Sequence, residues 1–339
     1  MSVLTFLADL HAQDIRVWAD GGRLRCNAPA DLLTPALREQ LQRRKEQILE
    51  FLRSAETLTQ RHRAIVPLQP RGTGIPIFGV PGHNGDVFCY LTLAQHLGPD
   101  MPFYGLQPPG LDGQGAPLTR IEDLAAYFAA QIRAFHPSGP CIVTGFCAGG
   151  MTAFELGRQL EQGGTPVSLV ALFGAPYASA YRWRAAPGIR LQWLATHARA
   201  LSHLGWRERW DYVKAKRALR RAERGLDRSP DPVFALRARV IQATVAAARR
   251  YTPEPFAGRV RIILPNRLWL RSRYLPLSWG AIARETDVYV GPEGCNQDNM
   301  LREPYAGAFS AYLAQSVSPL EGLRRASRAP LRTSRRPDT

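Results

Sequence analysis

Residues 141–157 read CIVTGFCAGGMTAFELG, an apolar strand pattern that passes through a glycine-rich turn into an amphipathic helix. Cys147 stands at the centre of the turn, with Gly145 on one side and Gly149-Gly150 on the other. A nucleophile elbow requires this order, because its sharply bent backbone leaves no room for side chains beside the central residue. The stretch therefore predicts a thiol presented where a strand turns into a helix.

The chain around this turn alternates between strands and helices. Strands are predicted at 76–80, 102–107, 141–145, 167–174, 259–265 and 286–291. Helical periodicity is found at 87–97, at 121–135 and, after the last strand, at 304–315. Alternation of this kind is typical of a doubly wound, mostly parallel sheet, so we predict an α/β fold. With the elbow at Cys147 the pattern resembles the α/β-hydrolase fold, which is the type we expect. The arginine-rich stretch at about 180–250 is predicted to be a helical cap.

A second loop is expected beside the elbow. Pro81-Gly82-His83 directly follows the predicted strand at 76–80 and precedes a helical pattern. The backbone N–H groups of Ala148 and His83 would then form an oxyanion hole, a pair of donors for a developing negative oxygen. The His83 side chain is the candidate general base or acyl-polarising donor, and the alternative is that only its backbone takes part.

The first 55 residues have a pattern of their own. An amphipathic helix at 2–13 is followed by two short strands about Asp20-Gly21-Gly22, and Thr34-Pro35 then opens another helix. The hairpin carries three positive charges, at Arg16, Arg23 and Arg25. These side chains are candidates for selecting an acidic partner, and the alternative is an ordinary solvated surface.

The whole chain is basic, with 44 Lys and Arg against 28 Asp and Glu and a formal net charge of +16. This charge attracts acidic partners, but no nucleic-acid module or basic run with stacking aromatics is found, so nucleic-acid binding is not expected. The five cysteines are odd in number and widely spaced, which predicts neither a disulfide framework nor a metal site. No export segment or membrane-spanning helix is predicted, and the expected location is the cytoplasm.

Composition divides the chain into four parts. The small N-terminal domain at 1–55 is followed by a polar, proline- and glycine-containing linker at 56–75. The α/β domain is predicted over 76–317, and the basic remainder at 318–339 is predicted to be disordered.

Residues 65 to about 315 resemble the type I thioesterase domains of nonribosomal peptide and polyketide synthetases. The resemblance rests on IFGVPGHNGDVFCYLTLAQHLG, PFYGLQPPGLDG, GPCIVTGFCAGGMTAFELGRQL, LVALFGAPY and NMLREPYAGAFSAYL. It implies that an acyl chain passes from the phosphopantetheine thiol of a carrier protein to the elbow nucleophile and is released by water, an amine or a hydroxyl. The domain itself is expected to bind no cofactor.

Two positions depart from that family's pattern. Where members often carry the triad aspartate, this chain has Phe173-Gly174-Ala175, and the loop that normally holds the histidine reads Gly294-Cys295-Asn296-Gln297-Asp298. No histidine follows His203. We predict that the catalytic residues are Cys147, His83 and Asp298 and that the accessory residues are Cys295, Asn296 and Gln297. Cys295 is a candidate second thiol, and the alternative is a small buried hydrophobic residue.

Cysteine changes what the elbow can do without a histidine. A thiol has an ordinary pKa of about 8.5 and is partly ionised near neutral pH, whereas a serine is inert without a base. The start of the following helix is expected to lower the pKa of Cys147 further. Acyl capture should therefore survive while deacylation by water suffers, which favours transfer to an amine or thiol.

Residues 1 to about 55 resemble the N-terminal docking domains first described in tubulysin-type hybrid synthetases. The resemblance rests on the leucine-rich start, on RVWADGGRLRCNAPADLLTPALREQL and on the final EFL. It implies an αββαα fold that captures the acidic C-terminal tail of an upstream synthetase subunit, partly by adding a strand to the hairpin. Arg16, Arg23 and Arg25 would select that tail.

Three functions remain open from the sequence. The first is an enzyme that takes a carrier-bound thioester onto Cys147 and transfers, cyclises or releases it. The second is a degenerate module that binds a carrier protein or product without turnover. The third is an editing hydrolase that clears wrongly loaded carriers. The elbow cysteine favours an enzyme, and the missing histidine favours a binding module.

Overall fold

The computed structural model describes residues 3–12, 15–20, 22–28, 32–61, 64–111, 113, 115–182 and 232–327. In this part of the chain, a seven-stranded sheet has the order β3-β5-β4-β6-β7-β8-β9. Its strands are β3 (Ile65–Gln69), β4 (Ile77–Val80), β5 (Phe103–Leu106), β6 (Cys141–Phe146), β7 (Val167–Phe173), β8 (Phe256–Leu264) and β9 (Ala283–Val290). Only β3 pairs antiparallel with its neighbour, and the other pairs are parallel. The predicted α/β fold with a mostly parallel sheet is confirmed.

Helices cover both faces of the sheet. They are α4 (Leu91–Leu97), α5 (Ile121–Phe135), α6 (Gly149–Gln162), α7 (Ala178–Arg182), α8 (Pro232–Arg250) and α9 (Ala306–Ser327), with short 3-10 helices at Val87–Tyr90, Arg267–Arg271 and Pro276–Ile282. Apolar residues of β6 alternate between two cores: Val143 joins the cluster under α5 and α6, and Ile142 joins the cluster under α4 and α9. Because both faces are buried, the central strands are continuously apolar, as the sequence pattern indicated.

The N-terminal part has the expected αββαα order, with α1 (Val3–Ala12), β1 (Arg16–Asp20), β2 (Arg23–Asn27), α2 (Pro35–Arg43) and α3 (Lys45–Arg61). Asp20 faces Arg23 across a two-residue turn, which confirms the hairpin. Thr34 caps α2, since its hydroxyl accepts a hydrogen bond from the Leu37 N–H at 3.2 Å.

The docking-like part packs against the larger domain through α1. This helix contacts α4 and the 3-10 helix Val87–Tyr90. Phe6 and Leu10 are almost fully buried, and they belong to the same apolar cluster as Leu93 and Leu97 of α4. The two parts of the chain therefore share one of the two cores.

Several predicted boundaries are wrong. Residues 56–75 are not a simple linker, because α3 continues to Arg61 and Ile65–Gln69 forms the edge strand β3, which places the start of the α/β domain before residue 76. The predicted disordered tail does not begin at 318, because α9 extends to Ser327. Residues 183–231 of the predicted cap and the end of the tail lie outside the described residues. No helix in the described ranges is long and apolar enough to span a membrane.

A buried polar cluster fixes α8 to α6. The Glu155 side chain is 1% exposed and forms an ion pair with Arg158 at 2.7 Å. The Tyr251 hydroxyl, directly after α8, donates to the same carboxylate at 3.1 Å. Since α8 packs against α7, this cluster also supports the short helix that follows β7.

Candidate functional site

The elbow forms at the carboxyl end of β6. Cys147 has a φ of 53°, in the left-handed region that non-glycine residues rarely adopt. A Cβ on Gly145 would lie 2.6 Å from the Cβ of Ala153, and a Cβ on Gly149 would lie 2.1 Å from the Pro81 carbonyl oxygen. Both positions therefore need glycine, and the strained central residue predicted from the sequence is present.

The loop after β4 lies directly against the elbow. A Cβ on Gly82 would be 3.7 Å from the Cβ of Cys147, which is ordinary van der Waals contact. Tyr90 braces the start of this loop, because its buried hydroxyl donates to the Val80 carbonyl oxygen at 2.7 Å. Asp86 caps the following 3-10 helix through the Phe88 N–H at 3.1 Å. The loop is therefore held in place beside the sulfur.

The half-buried Cys147 side chain meets polar groups from three different elements. Burial raises the pKa of the Cys147 thiol to about 11, and the charge of Asp298 adds to this rise. Hydrogen bonding by the backbone N–H of Ala148 and by the side chains of Tyr181 and Gln297 acts in the opposite direction and lowers the pKa. The expectation of a lowered pKa is wrong, because burial outweighs the helix start and the donors together. At neutral pH the resting residue is a thiol.

Gln297 occupies the loop that follows β9. Asn296 shapes this loop by accepting the N–H groups of Asp298 at 2.8 Å and Asn299 at 3.1 Å. The Gln297 amide Nε2 donates to the Gly174 carbonyl oxygen at 2.8 Å. Gly174 itself follows β7 and has a φ of 50°. The loop thus places an amide between the ends of β6 and β7.

Comparisons with known proteins agree with the overall fold. Residues 75–213 match the family model of the thioesterase domain, and residues 3–54 match that of the TubC N-terminal docking domain. The chain joins a docking domain to a thioesterase domain. In solved structures, the NocB thioesterase domain of the nocardicin cluster is similar over 76% of this chain and 99% of its own, with a TM-score of 0.55 and 19% identity. RedJ thioesterase of the prodiginine pathway in Streptomyces coelicolor covers 71% and 85%, with a TM-score of 0.50 and 18% identity.

Curated relatives match about a third of this chain. Polyketide synthase PksR of Bacillus subtilis is 38% identical over 115 residues, which is 34% of this chain and 4% of PksR. Malpinin synthetase of Mortierella alpina is 33% identical over 126 residues, which is 37% of this chain and 2% of the synthetase. The chain therefore spans a small fraction of the length of these relatives.

Position 174, directly after β7, favours glycine. A Cβ on Gly174 would lie 3.1 Å from the Met300 sulfur and 3.4 Å from the Gln297 Cγ, at a φ that favours glycine. What Gly174 contributes to the site is its carbonyl oxygen, which holds Gln297. The end of β7 and the loop after β9 are therefore joined by a main-chain acceptor and an amide.

The other predicted site residues are distributed around the elbow. His83 lies in the turn after β4 with an exposed side chain, and Asp298 is exposed beside Gln297. Cys295 is 1% exposed and belongs to the apolar core, so it lies among hydrophobic residues. No disulfide joins any of the five cysteines, all of which lie in the described part of the chain. The oxyanion donors Ala148 and His83 and the catalytic role of His83 stay predictions.

Tyr181 is not among the site residues predicted from the sequence. This residue lies in α7, and its hydroxyl reaches the Cys147 sulfur. No local motif marks it, because α7 comes to the elbow only when β7 pairs beside β6 in the sheet. Tyr90 and the Gly174 carbonyl were missed for the same reason.

The docking domain presents the predicted arginines on its hairpin. Arg23 and Arg25 are exposed, and Arg25 forms an ion pair with Asp20 at 3.1 Å. Arg16 begins β1 opposite Asn27. Trp18, also exposed, lies opposite Arg25. The hairpin therefore offers an aromatic ring among basic groups.

Proposed function

We propose that this chain captures an acyl group from the phosphopantetheine thioester of a carrier protein on Cys147 and transfers it to an acceptor. The elbow carries this proposal: Cys147 has a φ of 53° between glycines whose replacement would collide with backbone. Strain of this kind persists where surrounding structure maintains it, and it is concentrated at functional sites. The thioesterase family match supplies the reaction class.

Acyl transfer from one thiol to another requires no permanent base to accept the proton. The Cys147 sulfur forms a bond to the acyl carbon, the bond from that carbon to the phosphopantetheine sulfur breaks, and the Cys147 proton goes to the departing thiolate. Attacking and leaving groups are both thiols of similar intrinsic acidity, so the exchange creates no net charge. Hydrolysis instead requires activation of water, for which a positioned base contributes roughly 10²–10⁴-fold.

The proposal is tested by incubating the full chain with an acyl-pantetheine thioester and measuring intact and peptide masses. We expect one acyl group per chain, located on the peptide that contains Cys147, and no adduct in Cys147→Ala. If no acyl group is added to the wild-type chain at any pH between about 7 and 9, capture on Cys147 is wrong.

One observation favours a second function, a binding module without turnover. Burial keeps Cys147 protonated at neutral pH, with its pKa raised to about 11. A thiol in this state reacts slowly unless substrate binding changes its surroundings. Tight binding of an acyl carrier protein without acyl transfer would support this alternative, and rapid release of free acid would support an editing hydrolase.

We further propose that the hairpin of the docking domain binds the acidic C-terminal tail of a synthetase subunit. Arg23 and Arg25 are exposed on β2, and strand addition at a hairpin edge provides main-chain hydrogen bonds to an extended peptide. The negative charge of such a tail complements the net charge of +16 of this chain.

Charge reversal at Arg23 tests the docking proposal. We expect Arg23→Glu to weaken binding of a fluorescent acidic tail peptide, taken from a synthetase subunit encoded beside this chain, by about tenfold. The measurement is fluorescence anisotropy at low and high salt. Arg38→Glu makes the same charge change on an exposed position of α2 and should leave affinity within about twofold. Equal losses in both variants would argue against a hairpin site.

A further inference from the structure

The Gln297 side chain is restrained at both of its ends. Its Nε2 donates to the Gly174 carbonyl oxygen at 2.8 Å, across 123 residues of sequence. Its Cγ would lie 3.4 Å from a Cβ on Gly174, so the stem runs close along the backbone there. The elbow lies close to this carbonyl, because the Cys147 N–H donates to the carbonyl oxygen of Phe173, the residue before Gly174, at 2.9 Å. From this place the Gln297 side chain acts to lower the pKa of the Cys147 thiol.

Resting on the proposed acyl capture, we propose that Gln297 is a positioning residue that stabilises the Cys147 sulfur as attacking and leaving group while denying water a base. An amide nitrogen has two hydrogens. One is directed to Gly174, and the other is available to Cys147. No lone pair on that nitrogen accepts a proton.

This arrangement discriminates between acceptors. In the transfer step, the acceptor sulfur forms a bond to the acyl carbon, the bond from that carbon to Cys147 breaks, and the acceptor proton returns to the Cys147 sulfur. A hydrogen bond donated to the Cys147 sulfur stabilises negative charge on that sulfur, both when it attacks in acylation and when it departs in transfer. The same donor assists departure of the Cys147 sulfur when water attacks, but water is a much weaker nucleophile that requires a base, and an amide supplies none. The acyl group therefore remains on Cys147 until a thiol acceptor attacks it.

Replacement of Gln297 by histidine tests the idea directly. An imidazole there donates one N–H to the Gly174 carbonyl and presents its other nitrogen to Cys147 as a base. We expect acyl-Cys147 of Gln297→His to hydrolyse at least about tenfold faster than in the wild-type chain, measured by mass spectrometry after removal of excess acyl thioester. Gln162→His, at the exposed end of α6, is the matched control and should leave the rate unchanged.

Gln297→Met provides the complementary test. Methionine retains the length and volume of the side chain but donates no hydrogen bond. We expect acylation from a pantetheine thioester, and exchange of the acyl group onto added N-acetylcysteamine, to slow by about tenfold. Alkylation of Cys147 by iodoacetamide should also shift to higher pH, because loss of a donor to the thiolate raises the pKa of the thiol further. Circular dichroism melting confirms that each variant is folded.

The outcomes separate this inference from the proposed function. Suppose that the wild-type chain is acylated and that both Gln297→His and Gln297→Met show wild-type rates of deacylation, acyl exchange and alkylation. The proposed role of Gln297 is then wrong, and acyl capture on Cys147 is still supported. If the wild-type chain never acylates, acyl capture fails, and the pH profile of alkylation still decides whether Gln297 acts on Cys147. An unchanged profile in Gln297→Met overturns the inference.

Discussion

Replacing Cys147 with serine is expected to abolish acyl capture, although the two side chains differ by one atom. A serine hydroxyl needs an adjacent base to become nucleophilic. The loop after β9 holds the Gln297 amide, which is not a base, against Gly174. We expect acylation of Cys147→Ser by a pantetheine thioester to fall by at least about 10³-fold, measured by intact mass over hours.

Two further variants complete this experiment. Cys295→Ala removes the buried thiol of the neighbouring loop and should acylate at close to the wild-type rate, which also tests the idea of a second reactive thiol. Cys147→Ser combined with Gln297→His should recover part of the lost activity. Acylation of the single serine variant within about tenfold of the wild type would show that another group, such as His83, serves as an effective base.

Replacing Gly149 with alanine is expected to cause a large loss of stability and of acyl capture together. The added Cβ would lie 2.1 Å from the Pro81 carbonyl oxygen and 2.7 Å from that of Val80. Both neighbours are main-chain atoms of the β4 strand and its loop, so the collision cannot be relieved by rotating a side chain. Overpacking of this kind costs about 3 kcal/mol, which lowers the melting temperature of a domain of this size by roughly 6–12 °C.

Gly82 provides the matched control for that variant. It lies in the same loop, but a Cβ there would make contacts of 3.5 Å with the Phe146 ring and 3.7 Å with the Cys147 Cβ. We expect the melting temperature of Gly82→Ala to change by no more than about 2 °C, since ordinary contact adds no strain. A Gly149→Ala protein that melts like the wild type would mean that the elbow and the Pro81 loop are not packed together.

The elbow was predictable because its evidence is local. Apolar residues at 141–146, glycines around Cys147 and a helical period after it can be read within about twenty residues, and the structure has β6, a left-handed Cys147 and α6 in that order. The N-terminal hairpin was predictable for the same reason, since Gly21-Gly22 between alternating residues defines a two-residue turn.

Boundaries were less predictable, because tertiary contacts decide them. The segment IVPLQ at 65–69 is short and lies in the predicted linker, yet it becomes a strand by pairing with β5. Likewise α9 continues past Gln315 to Ser327. Secondary-structure propensity along the chain predicts neither boundary, since an edge strand, for example, forms only when its partner strand is present.

The sequence alone determined which atoms stand at the turn: a thiol at 147 between obligatory glycines, no histidine after His203, and a glycine where the family often has an acid. Only the tertiary structure decided how that thiol behaves. Its raised pKa comes from burial, and its donors Tyr181 and Gln297 arrive from α7 and from the loop after β9. Burial and long-range hydrogen bonds depend on which strands lie side by side, and strand order is a property of the folded sheet, not of any one segment.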